Sequence, residues 1–327
     1  MKSKHLVDSE LAPYLDAWPT GDIVAETLAA GRQLMKDMPP LAAPEAPQVA
    51  ETQEFVPGTE GQPDIRVVIY RPQGGAGTLP VFFHIHGGGF VMGEPEYNGP
   101  RNRHLAQDIG CMVVSVAYRL APETPFPGPV EDCYSALQWI YRHAERLGID
   151  TERIAIGGES AGGGLAAALG LLARDRGEIP VSFQLLIYPM LDDRTGAANE
   201  TNPHPYTGQF FWTAASNRFG WTSMLGAEPG GLDVSPYASP SRAASVANLP
   251  PTFISVGSLD LFVEENIEFA RRLIRAGVPT DLHVYAGGFH GLDMISGTNI
   301  GMMFERDYRE ALRRGLSVPK AAARVIS

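Results

Sequence analysis

Arg153-Ile154-Ala155-Ile156-Gly157-Gly158-Glu159-Ser160-Ala161-Gly162 is the stretch whose reading decides the fold. An apolar run of strand length leads into Gly158-Glu159-Ser160-Ala161-Gly162, and a long apolar segment from Gly163 to Arg174 follows. A serine with a glycine two residues away on each side, between a strand and a helix, fits a nucleophile elbow. The turn is so tight that side chains beside the serine would clash, and the serine oxygen is left protruding. The bare pattern is weak, because any glycine-rich turn with a serine can match it. A phosphate loop is the bland alternative, but it needs Lys and then Ser or Thr after its last glycine, and here Gly162 is followed by Gly163 and Gly164. No dinucleotide fingerprint fits the same glycines.

Upstream, His86-Gly87-Gly88-Gly89-Phe90 closes the apolar run Pro80 to Ile85. Successive glycines leave backbone amides unshielded, so they can point at a developing negative charge, and the cluster reads as an oxyanion hole. In a strand and elbow arrangement the amide after the nucleophile, here that of Ala161, completes it. The alternative is a flexible turn. His84 and His86 also suggest a metal pair, yet no further His or Cys cluster stands at ligand spacing, so no metal is expected.

A serine hydroxyl is nearly inert at its free pKa and needs a base, which in turn needs a carboxylate to orient it. The order expected for this elbow is serine, acid, histidine. Only His204, His283 and His290 follow Ser160. His283 lies in the alternating run Asp281 to Tyr285, where a sheet-face side chain is the plain reading. His204 lies between Pro203 and Pro205 in a loop. His290, in Gly287-Gly288-Phe289-His290-Gly291 just past that last strand, is the best base. Asp260 is the first carboxylate beyond the strand Pro251 to Gly257 and is taken as the acid, its alternative being a helix cap. Glu264 and Glu265 belong to the first turn of the next helix, where acids serve the helix dipole.

Taken together, these residues resemble the hormone-sensitive-lipase-like branch (bacterial family IV) of the α/β-hydrolase esterases. The matches are His86 to Phe90, Tyr118-Arg119-Leu120-Ala121-Pro122-Glu123, Gly158 to Gly162, the Asp260 region and Phe289-His290-Gly291, in the family's order. The resemblance implies a carboxylesterase with Ser160, Asp260 and His290 as its triad and the amides of Gly88, Gly89 and Ala161 as its oxyanion hole, without a cofactor. It implies that His86 fixes its loop and is not the base. It also implies a helical cap formed by about residues 1–50 and 193–246 over one α/β-hydrolase domain spanning 1–327. Two departures stand out: Glu159 where many members carry Asp, and Asp260-Leu261-Phe262 where Asp-Pro-Leu is usual. Members are often dimers, and no motif here marks a homodimer. Short- to medium-chain acyl esters are the expected substrates. The same chemistry would serve an amidase, deacetylase or lactonase, and a non-catalytic receptor on this fold would be expected to lose part of the triad.

Composition agrees with this reading. The chain has 327 residues and 44% hydrophobic content, enough for a full α/β core. A net charge of −11 disfavours nucleic acid and anionic membrane as partners. Cys111 and Cys133 lie in apolar or helical patterns without metal or redox spacing, and both read as buried thiols in a cytoplasmic protein. No signal-peptide core follows the charged first residues, and no apolar stretch reaches spanning length.

Residues up to about 38 read as helical, and Pro39, Pro40, Pro44 and Pro47 as a linker. Strands are expected near Thr52 to Val56 and Ile65 to Tyr70, before the oxyanion strand. From Cys111 to Tyr188 strands alternate with helices, one of them over Val130 to Leu147, which argues for a mainly parallel sheet covered on both faces. Ligand chemistry then belongs at the carboxyl ends of the strands. The rhythm breaks from about Asp193 to Val246, a stretch carrying Tyr206, Phe210, Phe211, Trp212, Phe219 and Trp221. Most of these aromatics are expected to form the cap's own small core, the others to line the substrate pocket. Glu159 is expected to support the helix terminus and not to carry a proton. Asn299 to Arg314 reads as an amphipathic closing helix.

Overall fold

Along each inner strand alternate side chains point to opposite faces, and nearly every one is apolar, so the sheet has to be covered on both sides. A computed structural model describes residues 2–15, 21–74 and 77–317. Its strands are β1 (Val49–Val56), β2 (Ile65–Pro72), β3 (Leu79–Ile85), β4 (Met112–Ala117), β5 (Ile149–Glu159), β6 (Phe183–Ile187), β7 (Thr252–Gly257) and β8 (Thr280–Tyr285). They form one sheet in the order β1-β2-β4-β3-β5-β6-β7-β8. The β1/β2 and β2/β4 pairs are antiparallel, and every other pair is parallel. The expected α/β-hydrolase fold, a mostly parallel sheet flanked by helices, is therefore present.

The helices are α1 (Leu28–Asp37), α2 (Gly99–Ile109), α3 (Gly128–Arg142), α4 (Ala144–Leu147), α5 (Ala161–Arg176), α6 (Ala214–Leu225), α7 (Val263–Arg275) and α8 (Asn299–Ser317). Val81, Phe83, Ile85, Ile154 and Ile156 join one buried cluster with α3, α5 and α7. Their strand neighbours Phe82 and Ala155 join a second cluster with Leu105 of α2 and Phe304 of α8. The two clusters are the period of two written in volume. Among the described residues no helix is long and apolar enough to cross a membrane.

The amino-terminal reading needs correction. Before Leu28 the described residues hold only short 3-10 turns, Lys4–Leu6 and Ala12–Tyr14, and the one regular helix there is α1. Pro13 and Gly21 interrupt the segment, and residues 16–20 lie outside the described part. The expected helix to Leu147 breaks at His143, whose φ of −102° and ψ of 22° leave the helical region. Helix α2 had no signal in the pattern, because Gly99-Pro100-Arg101-Asn102-Arg103-His104 is mostly polar, yet Arg101 and Asn102 are both buried.

The 193–246 segment also differs from expectation. Its aromatics do not make a core of their own: Trp212 and Trp221 join the cluster of α3, α5 and α7, and Phe210 joins the other. Trp221 packs on Phe90 with ring centroids 5.0 Å apart, and Phe210 on Phe289 at 5.6 Å. Phe90 and Phe289 belong to the glycine-rich loops after β3 and β8, so the segment is clamped onto those loops. The chain entering it is held by Glu265 of α7, which accepts the Leu191 and Asp192 amides at 2.6 and 3.3 Å and the Thr195 hydroxyl.

Candidate active site

Strand order places four loops side by side. Chain connections depart in opposite directions at the β3/β5 boundary, and there the crevice beyond the strand ends opens. The loop after β3 carries His86 to Phe90, the turn after β5 carries Ser160, and the loops after β7 and β8 carry Asp260 and His290.

Ser160 has φ 56° and ψ −120°, a strained conformation for a residue with a side chain. Backbone contacts hold it: its amide donates to Ile187 and its carbonyl accepts from Gly164, both at 2.9 Å. The flanking glycines are explained by a neighbour. A methyl group on either Gly158 or Gly162 would lie well inside contact distance of the Ile85 carbonyl, and on Gly162 it would also meet the His86 carbonyl. The elbow is therefore packed, backbone on backbone, against the strand that delivers the glycine loop His86 to Phe90.

Ser160, Asp260 and His290 come together. His290 Nε2 is 2.9 Å from Ser160 Oγ, and Nδ1 is 2.8 Å from Asp260 Oδ2. A carboxylate only accepts, so Nδ1 carries the proton and Nε2 is free to accept from the serine hydroxyl. Asp260 is further fixed by the Phe262 amide, which donates to Oδ1 at 2.9 Å. All three residues are buried. His283 instead packs on Phe253 and faces Asp307, and His204 stays in its loop beside Tyr206. Of the other two acids weighed, Glu265 holds the 191–195 backbone.

Among the described residues the amides of Gly88, Gly89 and Ala161 have no hydrogen-bond acceptor in the protein. Gly88 and Gly89 take φ of 117° and 60°, which orients the loop in a way other residues rarely allow. The Trp212 ring occupies the space a side chain on Gly89 would need, and Trp212 is itself fixed by donating to Asn217 Oδ1 at 3.1 Å.

His86 is tied into its own loop. Its Nδ1–H donates to the Gly87 carbonyl at 2.8 Å, its ring stacks on Tyr118 at 4.3 Å, and the Tyr118 hydroxyl donates to its carbonyl at 3.0 Å. Burial pushes the imidazole down to about 4, against the opposing hydrogen bond to Gly87. An unfolded histidine takes up its proton near pH 6.5, so between about 6.5 and 4 the unfolded chain binds the extra proton. Stability due to the neutral ring is thus present above the upper value and lost as pH falls toward the lower. Between pH 7 and pH 5 the protein should lose about 2 kcal/mol of unfolding free energy that a His86→Gln variant does not lose. Urea titrations of both at the two pH values check this.

Glu159 pairs with His84, the residue first weighed as half of a metal pair. His84 Nδ1 faces Asn102 Nδ2 at 3.2 Å and Ser115 Oγ at 2.7 Å, and Nε2 faces Glu159 Oε2 at 3.0 Å. The Glu159 carboxylate can only accept, so the Nε2–H of His84 donates to it, while Asn102 and Ser115 flank Nδ1. Burial works to raise the Glu159 pKa, but His84 and Arg101 outweigh it and hold the carboxyl below its usual range. No group of three or more His, Cys, Asp or Glu able to hold a metal occurs among the described residues.

Sequence reasoning missed the support behind His290. The Tyr188 ring lies 4.6 Å from the His290 ring, and its hydroxyl donates to Asp293 Oδ1 at 2.7 Å. Asp293 in turn pairs with Arg101 at 2.5 Å, both buried. These residues come from the end of β6, the loop after β8 and helix α2, and no local motif announces their meeting. Ser160 and His290 open on a cavity of about 170 Å³ whose apolar wall includes Leu34, Met35, Met38, Met92 and Trp212.

With this geometry in view, comparison with known proteins is informative. The alpha/beta hydrolase fold family matches residues 82–294. The chain is 33% identical to Esterase LipI of Mycobacterium tuberculosis over 88% of each chain. It is 32% identical to Carboxylesterase NlhH of the same organism, covering 97% of this chain and 96% of that one. Among solved structures, a Bacterial Heroin Esterase superposes with a TM-score of 0.88 at 41% identity, over 95% of this chain and 98% of that one.

Proposed function

Since the chain belongs to the alpha/beta hydrolase fold family, in its hormone-sensitive-lipase-like branch, we propose that Ser160, His290 and Asp260 carry out its ester hydrolysis through a covalent acyl-enzyme. The general activity is that of a serine hydrolase acting on carboxylic esters of small molecules. The hydrogen-bonded chain from Asp260 through His290 to Ser160 is the observation that carries the mechanism.

As Ser160 Oγ attacks the ester carbonyl, its proton passes to His290 Nε2. Asp260 holds the imidazole in the required tautomer and stabilises its charged form. The carbonyl oxygen becomes an oxyanion, and the unoccupied amides of Gly88, Gly89 and Ala161 are the donors proposed for it, each worth on the order of 3 kcal/mol. His290 returns the proton to the leaving alkoxide, and water then enters by the same route to release the acid. Residues 193–246 and the amino-terminal segment, about 1–50, act as the cap. This is supported by Leu34, Met35, Trp212 and Phe211 lining the cavity that Ser160 faces. Two buried, unpaired thiols, Cys111 and Cys133, support a cytoplasmic setting.

A cavity of about 170 Å³ favours short acyl chains. In a series of 4-nitrophenyl esters from acetate to palmitate, kcat/KM should peak between acetate and hexanoate and fall steeply beyond. A preference for long emulsified triglycerides would overturn this reading of the pocket. Stoichiometric labelling of Ser160 by an organophosphate tests the acyl-enzyme directly.

A further inference from the structure

The loop that carries His290 is clamped from two sides. Asp293, in the short turn Leu292–Met294 just beyond His290, has both carboxylate oxygens engaged. Arg101 Nη1 donates to Oδ2 at 2.5 Å, and the Tyr188 hydroxyl donates to Oδ1 at 2.7 Å. Arg101 Nη2 also donates to the Asp293 carbonyl at 3.1 Å, so helix α2 grips the main chain of the loop as well as the side chain. The side chains of this ion pair are only 7% and 1% exposed. Taking both charges out of water costs about what their attraction returns, so stability alone gives the pair little reason to be buried.

The second arm of the clamp is strained. Tyr188, directly after β6, has φ 33°, a region that residues with a side chain rarely adopt. Its amide donates to the Ser255 carbonyl of β7 at 2.6 Å, and its ring lies 4.6 Å from the His290 ring. Strain of this kind persists only where the surroundings over-determine it. Here the ring is fixed against the imidazole at one end and against Asp293 at the hydroxyl.

Charge gives the clamp a second consequence. A free carboxylate so near His290 would compete with Asp260 for the charged imidazole, but both Asp293 oxygens are taken and Arg101 cancels its field. The other groups facing this region are accounted for. Glu159 is held by His84 and by the charge of Arg101, and burial keeps His86 neutral above about pH 4. Tyr97, Tyr188 and Tyr308 stay protonated, because burial raises each of them. Glu96 pairs with Arg66, whose charge also faces Glu94 on the cavity wall. On the amino-terminal segment packed against the loop, Asp8 accepts the Glu10 amide and Glu10 binds Asn299. Phe211, Trp212 and Phe262, the remaining rings around His290, carry no charge.

We propose that Arg101 and Asp293 are positioning residues for His290, acting through Tyr188. They hold the imidazole between Ser160 and Asp260, and their mutual neutralisation leaves Asp260 as the one carboxylate that stabilises its charged form. This inference rests on the reading of His290 as the base.

The test is the acid limb of the pH profile of kcat/KM on 4-nitrophenyl acetate, which falls where the base takes up a proton. Arg101→Gln leaves Asp293 without its counter-charge. The added negative field favours the protonated imidazole, so the limb should move up by about half a pH unit or more. Asp293→Asn keeps an oxygen to accept from the Tyr188 hydroxyl but leaves the Arg101 charge in excess, so the limb should move down by about as much. The double variant restores the balance and should return the limb close to its wild-type position, as should Arg101→Lys, which keeps the charge. In both single variants the plateau kcat should fall by about tenfold, with KM changed by no more than about twofold. A role in folding alone would give the two single variants the same loss and no opposed shifts, because each breaks the same contact. Limbs that stay in place, or that move together in one direction, overturn the proposal. Where one single variant does not fold, the other decides by the direction of its limb. His290→Ala separates the proposal from the reading beneath it. A wild-type rate in that variant removes His290 as the base, whereas a lost rate combined with unmoved limbs in the others defeats the clamp alone.

Discussion

Ser160→Ala is expected to lower kcat on 4-nitrophenyl acetate by about 10⁴- to 10⁶-fold, with KM changed by no more than a few-fold. The magnitude follows from how the three side chains act as a unit. Without the hydroxyl, His290 has no proton to take and Asp260 has no cation to stabilise, so what survives is the contribution of the free amides and of substrate binding. Alanine keeps the backbone of the elbow, since the strain at φ 56° is imposed by the contacts of the Ser160 amide and carbonyl and not by the side chain. Stopped-flow and steady-state assays of the purified variant, with circular dichroism as a check on folding, measure it. A rate near that of the wild type would remove Ser160 from the mechanism.

The second large effect concerns stability. Gly158→Ala and Gly162→Ala should each destabilise the fold by about 3 kcal/mol or more, far beyond the cost of an ordinary surface change. Both added methyl groups press on the Ile85 carbonyl, and backbone on that side cannot swing away like a long side chain. Relief requires opening the pairing of β3 with β5, where Ile85 sits opposite Gly158. Because the two methyl groups meet one neighbour, the double variant should lose less than the sum of the singles. Gly177→Ala is the reference: it also has a positive φ, 69°, but open space, so about 1–2 kcal/mol is expected. Urea unfolding of the four variants decides, and singles within 1 kcal/mol of wild type would refute the packing account.

How much of this was legible in the chain depended on whether a feature is local. The elbow, the glycine loop and the acid and histidine after the last two strands each occupy a few consecutive residues at a strand end, and a short pattern can hold all the geometry they need. The support behind them cannot be read that way. Tyr188, Asp293 and Arg101 meet only because β6, the loop after β8 and helix α2 converge, and α2 hides from pattern reading by burying a charged residue. The aromatics of 193–246 were visible as a group, but whether they would pack together or onto the loops below depends on the surface they meet. Phe90 and Phe289 supply that surface.

The Trp212 ring resting in the notch left by Gly89 ties two properties together that enzymologists prefer to vary separately. Any change that trims the indole to admit a bulkier guest also withdraws the brace from the Gly89 amide, one of the donors proposed for the oxyanion. Broadening what this protein accepts at that wall therefore carries a penalty in turnover, and variants selected for both will have to rebuild the brace from another side chain.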